Sequence, residues 1–466
     1  MLPPMALLRR GLGTVALPLG GASEVDVAIM GAGPAGSALA ALLSCNPLTR
    51  SLRVALLDMC PPAALSSEPP PRPDPHVAAL SPGSTELLRL VGAWRALGPA
   101  AAPVCDVQVW GCGGLGHVRC TAASAGSAAA ACVLETRLLV AALHQQLRAA
   151  TAGRAAGLQL LLPTMPEGVE LPAYSPQAQL EGGPLARLLL EGGRTLQARL
   201  VVGADGPFGD LVRRWSQIRA LRPRPGSQPE AVELAAAVAT ASPLQTAFHR
   251  FLPTGQLALL PARSGAAVQW TCPPQMASQL AALSPQELAR AMNDALTAPP
   301  HPPASAPLCS LLGGLLEGSH SSRFVEPPAV MNVVAGPAMR TLSQTHAGKA
   351  QSRRYVRPRV ALIGSAAHAA PAGLNLGLAD AQALAAAISR AVEEGHDIGS
   401  AALLEERYGR PRRRANDAAL AASESLSRLL QPQAGPLSLL GGLGLNLANS
   451  LPAAKQTLLR LAMHGI

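Results

Sequence analysis

The sequence predicts an α/β fold in which one sheet is assembled from three distant segments, with another domain inserted between them. Three observations predict it. The apolar residues 25–30 run into Gly31-Ala-Gly33-Pro-Ala-Gly36, and the small-residue helical pattern Ser37-Ala-Leu-Ala-Ala-Leu-Leu43 follows. A second apolar run, residues 198–202, closes on Gly203-Ala-Asp205-Gly206, and a third, residues 360–363, closes on Gly364. Each reads as a buried strand that ends in a glycine or Asp-Gly turn.

The first segment carries the most chemistry. A short run at residues 54–57 ends in Asp58, at about the spacing where a βαβ dinucleotide unit places its ribose-binding carboxylate. Gly31 lets the chain turn off the strand, Gly33 leaves room for a pyrophosphate beside the backbone, and Gly36 lets the helix approach the sheet. The helix N-terminus offers N–H groups and positive partial charge to phosphates. Asp58 accepts from ribose hydroxyls and its charge disfavours a 2′-phosphate, which points to FAD or NAD before NADP. A lone fingerprint is also compatible with an ordinary glycine-rich turn, and the placed strand, helix and carboxylate favour the dinucleotide.

In the second segment, residues 136–147 have helical apolar spacing, and in the third, residues 379–392 do. Proline-rich or small-residue stretches at 61–75, 121–131, 163–183, 221–229 and 298–307 read as surface loops. The tail from Tyr408 is mostly helical in pattern. Its apolar portion, residues 437–447, is interrupted by Gly441, Gly442 and Gly444, which suits a peripheral membrane contact more than a span.

With 466 residues the chain can bury large cores, and because 48% of it is hydrophobic but only 2% aromatic, those cores are packed by Leu, Val and Ala. The net charge of +10 comes mainly from dispersed Arg, with clusters at residues 353–359 and 410–414. Without aromatic stacking platforms or a nucleic-acid motif, nucleic acid is excluded as partner, and an anionic membrane surface fits better. Eight cysteines form no CxxC pair, so no metal site is expected, and they read as small buried residues in a reducing compartment. The first 23 residues hold Arg9 and Arg10 and no acid. They resemble a short organellar presequence, with an untargeted N-terminus as the alternative.

Taken in order, Gly31-Ala-Gly-Pro-Ala-Gly36, Gly203-Ala-Asp-Gly206 and Val360-Ala-Leu-Ile-Gly-Ser-Ala-Ala-His368 with Asn375-Leu-Gly-Leu-Ala-Asp380 resemble the three FAD motifs of aromatic-ring flavin monooxygenases. Leu80-Ser-Pro-Gly-Ser-Thr-Glu-Leu-Leu88, Val107-Gln-Val-Trp110, Arg250-Phe-Leu-Pro-Thr-Gly-Gln-Leu-Ala-Leu-Leu-Pro261 and Tyr355-Val-Arg-Pro-Arg359 are similar to the ubiquinone-biosynthesis branch, the UbiH/VisC-like hydroxylases, and above all to its mitochondrial members. The resemblance implies a discontinuous Rossmann-like FAD-binding domain with an inserted β-sheet substrate domain and C-terminal helices. On this chain it divides into a mitochondrial presequence at 1–23, FAD-domain parts at 24–104, 133–225 and 355–400, substrate-domain parts at 105–132 and 226–354, and helices at 401–466.

The same resemblance implies hydroxylation, at C5, of a polyprenylated hydroxybenzoate-type ring by O2. Electrons would come from ferredoxin and its reductase, and the enzyme would sit with other ubiquinone-biosynthesis proteins at the matrix face of the mitochondrial inner membrane. The flavin carries the oxygen chemistry, so no side chain is assigned as general acid or base. Gly31, Gly33, Gly36 and Asp58 are expected at the ADP half. Arg137, Asp205 and Gly206 match the family's second-block positions, and Gly364, Ser365, Pro371, Gly373 and Asn375 lie in the expected flavin loop. His368 is assigned a structural role. Two departures stand out: position 365 is Ser where the family carries Asp, and the loop from His368 to Asn375 is several residues short. They leave a fold-retaining scaffold of the ubiquinone-synthesis assembly as the alternative function.

Overall fold

The structure, a computed structural model, describes residues 23–60, 72–111, 117–152, 157–164, 166–172, 183–204, 212, 215–218, 231–263, 265–297, 324–342, 351–368 and 373–430. In chain order, strand β1 (Ser23–Met30) leads into helix α1 (Pro34–Cys45), β2 (Val54–Leu57), β3 (Val77–Leu80), α2 (Pro82–Leu90), α3 (Trp94–Leu97), β4 (Ala102–Val104), β5 (Asp106–Gly111), β6 (His117–Thr121) and β7 (Ala131–Glu135). Helix α4 (Thr136–Ala152), β8 (Leu158–Leu161), β9 (Pro166–Glu170), β10 (Ala186–Leu190) and β11 (Arg194–Gly203) follow. Next come β12 (Ala231–Thr240), β13 (Thr246–Leu252), β14 (Gly255–Ala262), β15 (Gly265–Cys272), α5 (Pro274–Ala281), α6 (Pro285–Thr297) and β16 (Val330–Leu342). The described chain ends through β17 (Val356–Arg357), β18 (Val360–Leu362), α7 (Gly373–Glu393), α8 (Ala401–Leu404) and α9 (Arg410–Leu430).

Six consecutive buried residues in β1 mark a strand covered on both faces, and it is the centre of a sheet ordered β17-β18-β11-β1-β2-β8. From β18 to β8 every pairing is parallel. Three distant segments therefore build one sheet, as the glycine-ended runs predict. On α1, Ala38, Leu39, Ala40 and Leu43 are wholly buried. Each large side chain so covered contributes about 1.5–3 kcal/mol, and the small ones let α7 and α4 pack closely against the helix.

The second sheet, β16-β12-β15-β14-β13-β5-β6, is antiparallel except where β13 runs parallel to β5. One face packs Phe248, Leu257, Leu259 and Trp270 against Leu288 and Met292 of α6. The other sets Ala247, Ala258, Leu260 and Ala267 on Val77, Val104 and Val133 of a three-stranded sheet, β3-β7-β4. That small sheet bridges the two large ones: β7 spans the division expected at 132/133, and β4 ends at the one expected at 104/105. Ahead of the segment that starts at 355, Gln351 bridges to His368, and the Ser352 N–H donates to the Ala367 carbonyl.

Helix α7 starts at Gly373, earlier than its apolar pattern suggests. Among the described cysteines only Cys120 and Cys272 are buried, while Cys45 and Cys60 are exposed, so burial is not general. No helix among the described residues is long and apolar enough to cross a membrane. The expected presequence up to residue 22 and the apolar tail segment at 437–447 lie outside the described residues.

Candidate functional site

The register of the parallel sheet brings the three glycine motifs to one edge. Met30 is level with Gly203 and with Leu57 across the pairings of β1, and Gly203 is level with Leu362. Backbone bonds continue just past the strand ends: Gly31 N–H to the Leu57 carbonyl at 2.8 Å, Ala204 N–H to Met30 at 2.7 Å, and Ile363 N–H to Gly203 at 2.9 Å. This is the carboxyl edge of the strands. Since β2 leaves β1 on one side and β11 returns on the other, it is also the crevice where open α/β sheets bind ligands.

The fingerprint residues have separable reasons to be glycine. Gly31 has φ +109°, in the region that side chains rarely enter. A Cβ on Gly36 would lie 1.9 Å from the Gly31 carbonyl oxygen, so the close crossing of helix and turn requires its absence. A Cβ on Gly33 would meet nothing within 4 Å. The protein itself does not need a glycine there; a pyrophosphate lying on the backbone does. No side chain caps α1, which leaves its first N–H groups for an anion.

Asp58 completes the cradle. Its Oδ2 accepts from the Ala32 N–H at 2.7 Å and its Oδ1 from the Cys60 N–H at 2.9 Å; each carboxylate oxygen keeps a lone pair for a ribose hydroxyl. A second support was not legible in the motif. The Ala32 carbonyl accepts from the Ser37 hydroxyl at 2.8 Å, and the buried His144 of α4 sets its Nε2 2.9 Å from that hydroxyl and 3.1 Å from that carbonyl. Burial lowers the His144 pKa, against the opposing pull of the Ala32 carbonyl, so a neutral imidazole braces the turn.

At the third motif Gly364 has φ +58°, and a Cβ there would come 3.1 Å from that of Ala35. Gly377 faces the same point, since its own Cβ would lie 3.1 Å from the Gly364 Cα. Two glycines thus let the turn, α1 and α7 converge. Ser365 sits in the short 3₁₀ turn Gly364–Ala366 and is half-buried.

Beneath the turn lies a polar cluster that sequence reasoning missed. Asp380 is wholly buried; its Oδ2 accepts from Gly364 N–H at 3.1 Å and His368 Nε2 at 2.8 Å. Its Oδ1 accepts from Arg412 Nε at 2.8 Å and Asn416 Nδ2 at 3.2 Å. Burial raises the Asp380 pKa, but His368 and Arg412 beside it more than offset that and hold it below the ordinary carboxylate value. The structural role expected for His368 has its partner here.

Three residues expected at the flavin, Asn375, Gly373 and Arg137, lie at the starts of helices. The Asn375 side chain belongs to the first turn of α7, not to a loop, and its amide is spent inside the protein. Its oxygen accepts from Ser81 N–H and Ser84 Oγ, and its nitrogen donates to the Ala79 carbonyl, tying α7 to the β3–α2 corner. Gly373 likewise opens that helix. The Arg137 guanidinium is held by Glu135 at 2.7 Å, Asp74 at 3.6 Å and the Arg72 carbonyl at 2.7 Å, at the start of α4. Asp205, Gly206 and Pro371 lie outside the described residues, although Ala204 places the second motif directly beside the first.

No protein-family model matches the chain. Among known proteins it is similar to the mitochondrial ubiquinone biosynthesis monooxygenase COQ6 of Mus musculus, 30% identical over 449 residues that span 94% of this chain and 90% of the relative. The Homo sapiens protein of the same name is 28% identical over 454 residues, 94% of this chain and 92% of its own. That of Saccharomyces cerevisiae is 27% identical over 478 residues, 93% and 92%. Among solved structures, p-nitrophenol 4-monooxygenase PnpA from Pseudomonas putida superposes with a TM-score of 0.64 at 16% identity, covering 95% of this chain and 99% of that one. PqsL, a probable FAD-dependent monooxygenase from Pseudomonas aeruginosa, gives 0.59 at 19% identity over 91% and 99%. The fold is that of these enzymes.

Proposed function

Because the chain belongs to the family of mitochondrial ubiquinone-biosynthesis monooxygenases named COQ6, we propose that it is an FAD-dependent monooxygenase that hydroxylates an aromatic ring on the way to ubiquinone. The observation that carries this reading is the meeting of three glycine motifs at one carboxyl edge, where among the described residues nothing lies within 4 Å of a Cβ placed on Gly33.

The residues present fit FAD. Gly33 and the uncapped start of α1 receive the pyrophosphate, and Asp58 receives the adenosine ribose. Gly31, Gly36 and the His144–Ser37–Ala32 brace hold that turn in shape. Gly364 and Ser365 face the flavin half, with Asp205, Gly206 and Pro371 assigned there by their motifs. FAD, when bound, supplies the redox chemistry that activates O2. The chain's own work is to bind, orient and exclude water.

The finer reading is hydroxylation at C5 of a polyprenylated hydroxybenzoate-type ring, with electrons from ferredoxin and ferredoxin reductase. The protein works beside other ubiquinone-biosynthesis proteins, peripherally on the matrix side of the mitochondrial inner membrane. Support for the membrane comes from the basic clusters: Arg353, Arg354 and Arg357 are exposed, as are Arg410 and Arg414, and Arg413 donating to the Arg353 carbonyl at 3.1 Å brings the two clusters together. Relatives named monooxygenases over nearly the whole length favour turnover over a purely scaffolding role. The test is flavin-loaded protein supplied with reductant and a short-chain prenylated hydroxybenzoate. Oxygen consumption that depends on the aromatic compound and yields its hydroxylated product supports the function; oxidase activity indifferent to it counts against.

A further inference from the structure

We propose that Arg412, in the first turn of the C-terminal helix, is a positioning residue for FAD, acting through Asp380 on the Gly364 turn. The inference rests on the reading that this turn faces the cofactor.

Asp380 works as a two-sided bolt. One oxygen holds the turn at Gly364 N–H and at His368 Nε2, and the other holds α9 at Arg412 Nε and Asn416 Nδ2. A wholly buried carboxylate is tolerated only when its charge is answered by donors in good geometry. Arg412 gives the answer from α9, and its fork is fixed in turn: Nη2 lies 2.7 Å from Asn416 Oδ1 and 3.5 Å from the Leu376 carbonyl. Asn416 donates to the Tyr355 hydroxyl at 3.0 Å, which also accepts from Gln351 Nε2 at 2.7 Å. Every group around Asp380 therefore has one arrangement, and that arrangement decides where the Gly364 N–H points.

The turn has little room to compensate. Its left-handed Gly364 lies within a few ångströms of Ala35 at the start of α1 and of Gly377 on α7, so a displacement of Asp380 moves the third motif relative to the fingerprint. Without Arg412 the Asp380 charge is left short of a partner, and its Oδ2 is pulled from its two bonds on the turn or takes up a proton.

The experiment measures FAD affinity of the apo-protein by flavin fluorescence, the visible circular dichroism of the bound flavin, and thermal unfolding, on the full chain. Arg412→Met is expected to raise the FAD dissociation constant on the order of tenfold and to alter the flavin dichroism. Arg412→Lys, which keeps the charge but lacks the planar fork, is expected to recover to within about threefold of wild type. Arg414→Met, exposed on the same helix, is expected to change neither. An Arg412→Met protein that unfolds at lower temperature yet keeps wild-type affinity and dichroism would overturn the proposal, leaving Arg412 a stabilising residue only. Should Arg412→Met not fold, Arg412→Gln decides, because it keeps an N–H donor for Asp380 but removes the charge: an unchanged dissociation constant and dichroism contradict the proposal. A wild-type chain that takes up no FAD overturns the cofactor reading itself, and this proposal with it.

Discussion

The Asp58 carboxylate accepts the Ala32 N–H at 2.7 Å, across 26 residues of sequence, and so locks the end of β2 onto the turn that leaves β1. One residue thereby shapes the nucleotide cradle and offers its remaining lone pairs to the ribose. Asp58→Ala is expected to weaken FAD binding by roughly tenfold to a hundredfold, the loss of charge-assisted hydrogen bonds worth about 1.5–3 kcal/mol. Calorimetric titration of apo-protein with FAD measures it, and an unchanged dissociation constant would remove Asp58 from the site.

The two glycines flanking Pro34 and Ala35 should separate folding from binding. Gly33→Ala puts its methyl into open space with the backbone at φ −68°, so the unfolding temperature is expected to stay near wild type while FAD binding is largely lost. Gly36→Ala places a methyl 1.9 Å from the Gly31 carbonyl, and a stability loss above about 2 kcal/mol is expected. If both variants lose stability equally, the space beside Gly33 is not a ligand site.

Much of this was legible beforehand. Apolar runs broken by glycine identify β1, β11 and β18 as buried strands of one sheet, because a strand covered on both faces has no polar alternation to hide its ends. The start of α7 was not legible: Gly373, Gly377 and the absence of an acidic first turn disguise a helix in which Gly377 serves a close crossing with Gly364. Nor was Arg412, which sits in an arginine run that reads as a solvated face until the fold turns one of its members inward to Asp380. Asn375 and Ser81 meet across 294 residues, a contact no local pattern announces.

Ser365 is the position where a carboxylate is missing. A serine hydroxyl is neutral and shorter than an aspartate, so Ser365→Asp is expected to tighten FAD binding by about 1–3 kcal/mol, tenfold to a hundredfold. Flavin content after gel filtration, with the fluorescence-derived dissociation constant, tests this. Wild-type protein that retains FAD one-to-one, with a Ser365→Asp variant no tighter, would show that the carboxylate is not needed here.

His249 on β13 accepts from Gln256 Nε2 at its Nδ1, 2.9 Å away, and burial lowers its pKa from 6.5 to about 4. An imidazole protonated more readily when unfolded binds protons on unfolding, so stability rises with pH through this window. The contribution is full above pH 6.5 and is lost as pH falls towards 4, at most about 3 kcal/mol because the ring keeps some contact with water. Denaturant unfolding at pH 7.5 and 4.5 is expected to show a smaller acid loss in His249→Gln than in wild type. Equal losses would assign the acid sensitivity elsewhere.

Ring hydroxylation by this chain is tested most directly by complementation of a cell line lacking its mitochondrial ubiquinone-biosynthesis hydroxylase, read by mass spectrometry of the quinone intermediates. The chain is expected to restore the hydroxylated product and ubiquinone, and Gly33→Ala, expressed to the same level, is expected not to. Stable expression of the wild-type chain in mitochondria, with the same unhydroxylated ring still accumulating, would contradict that expectation.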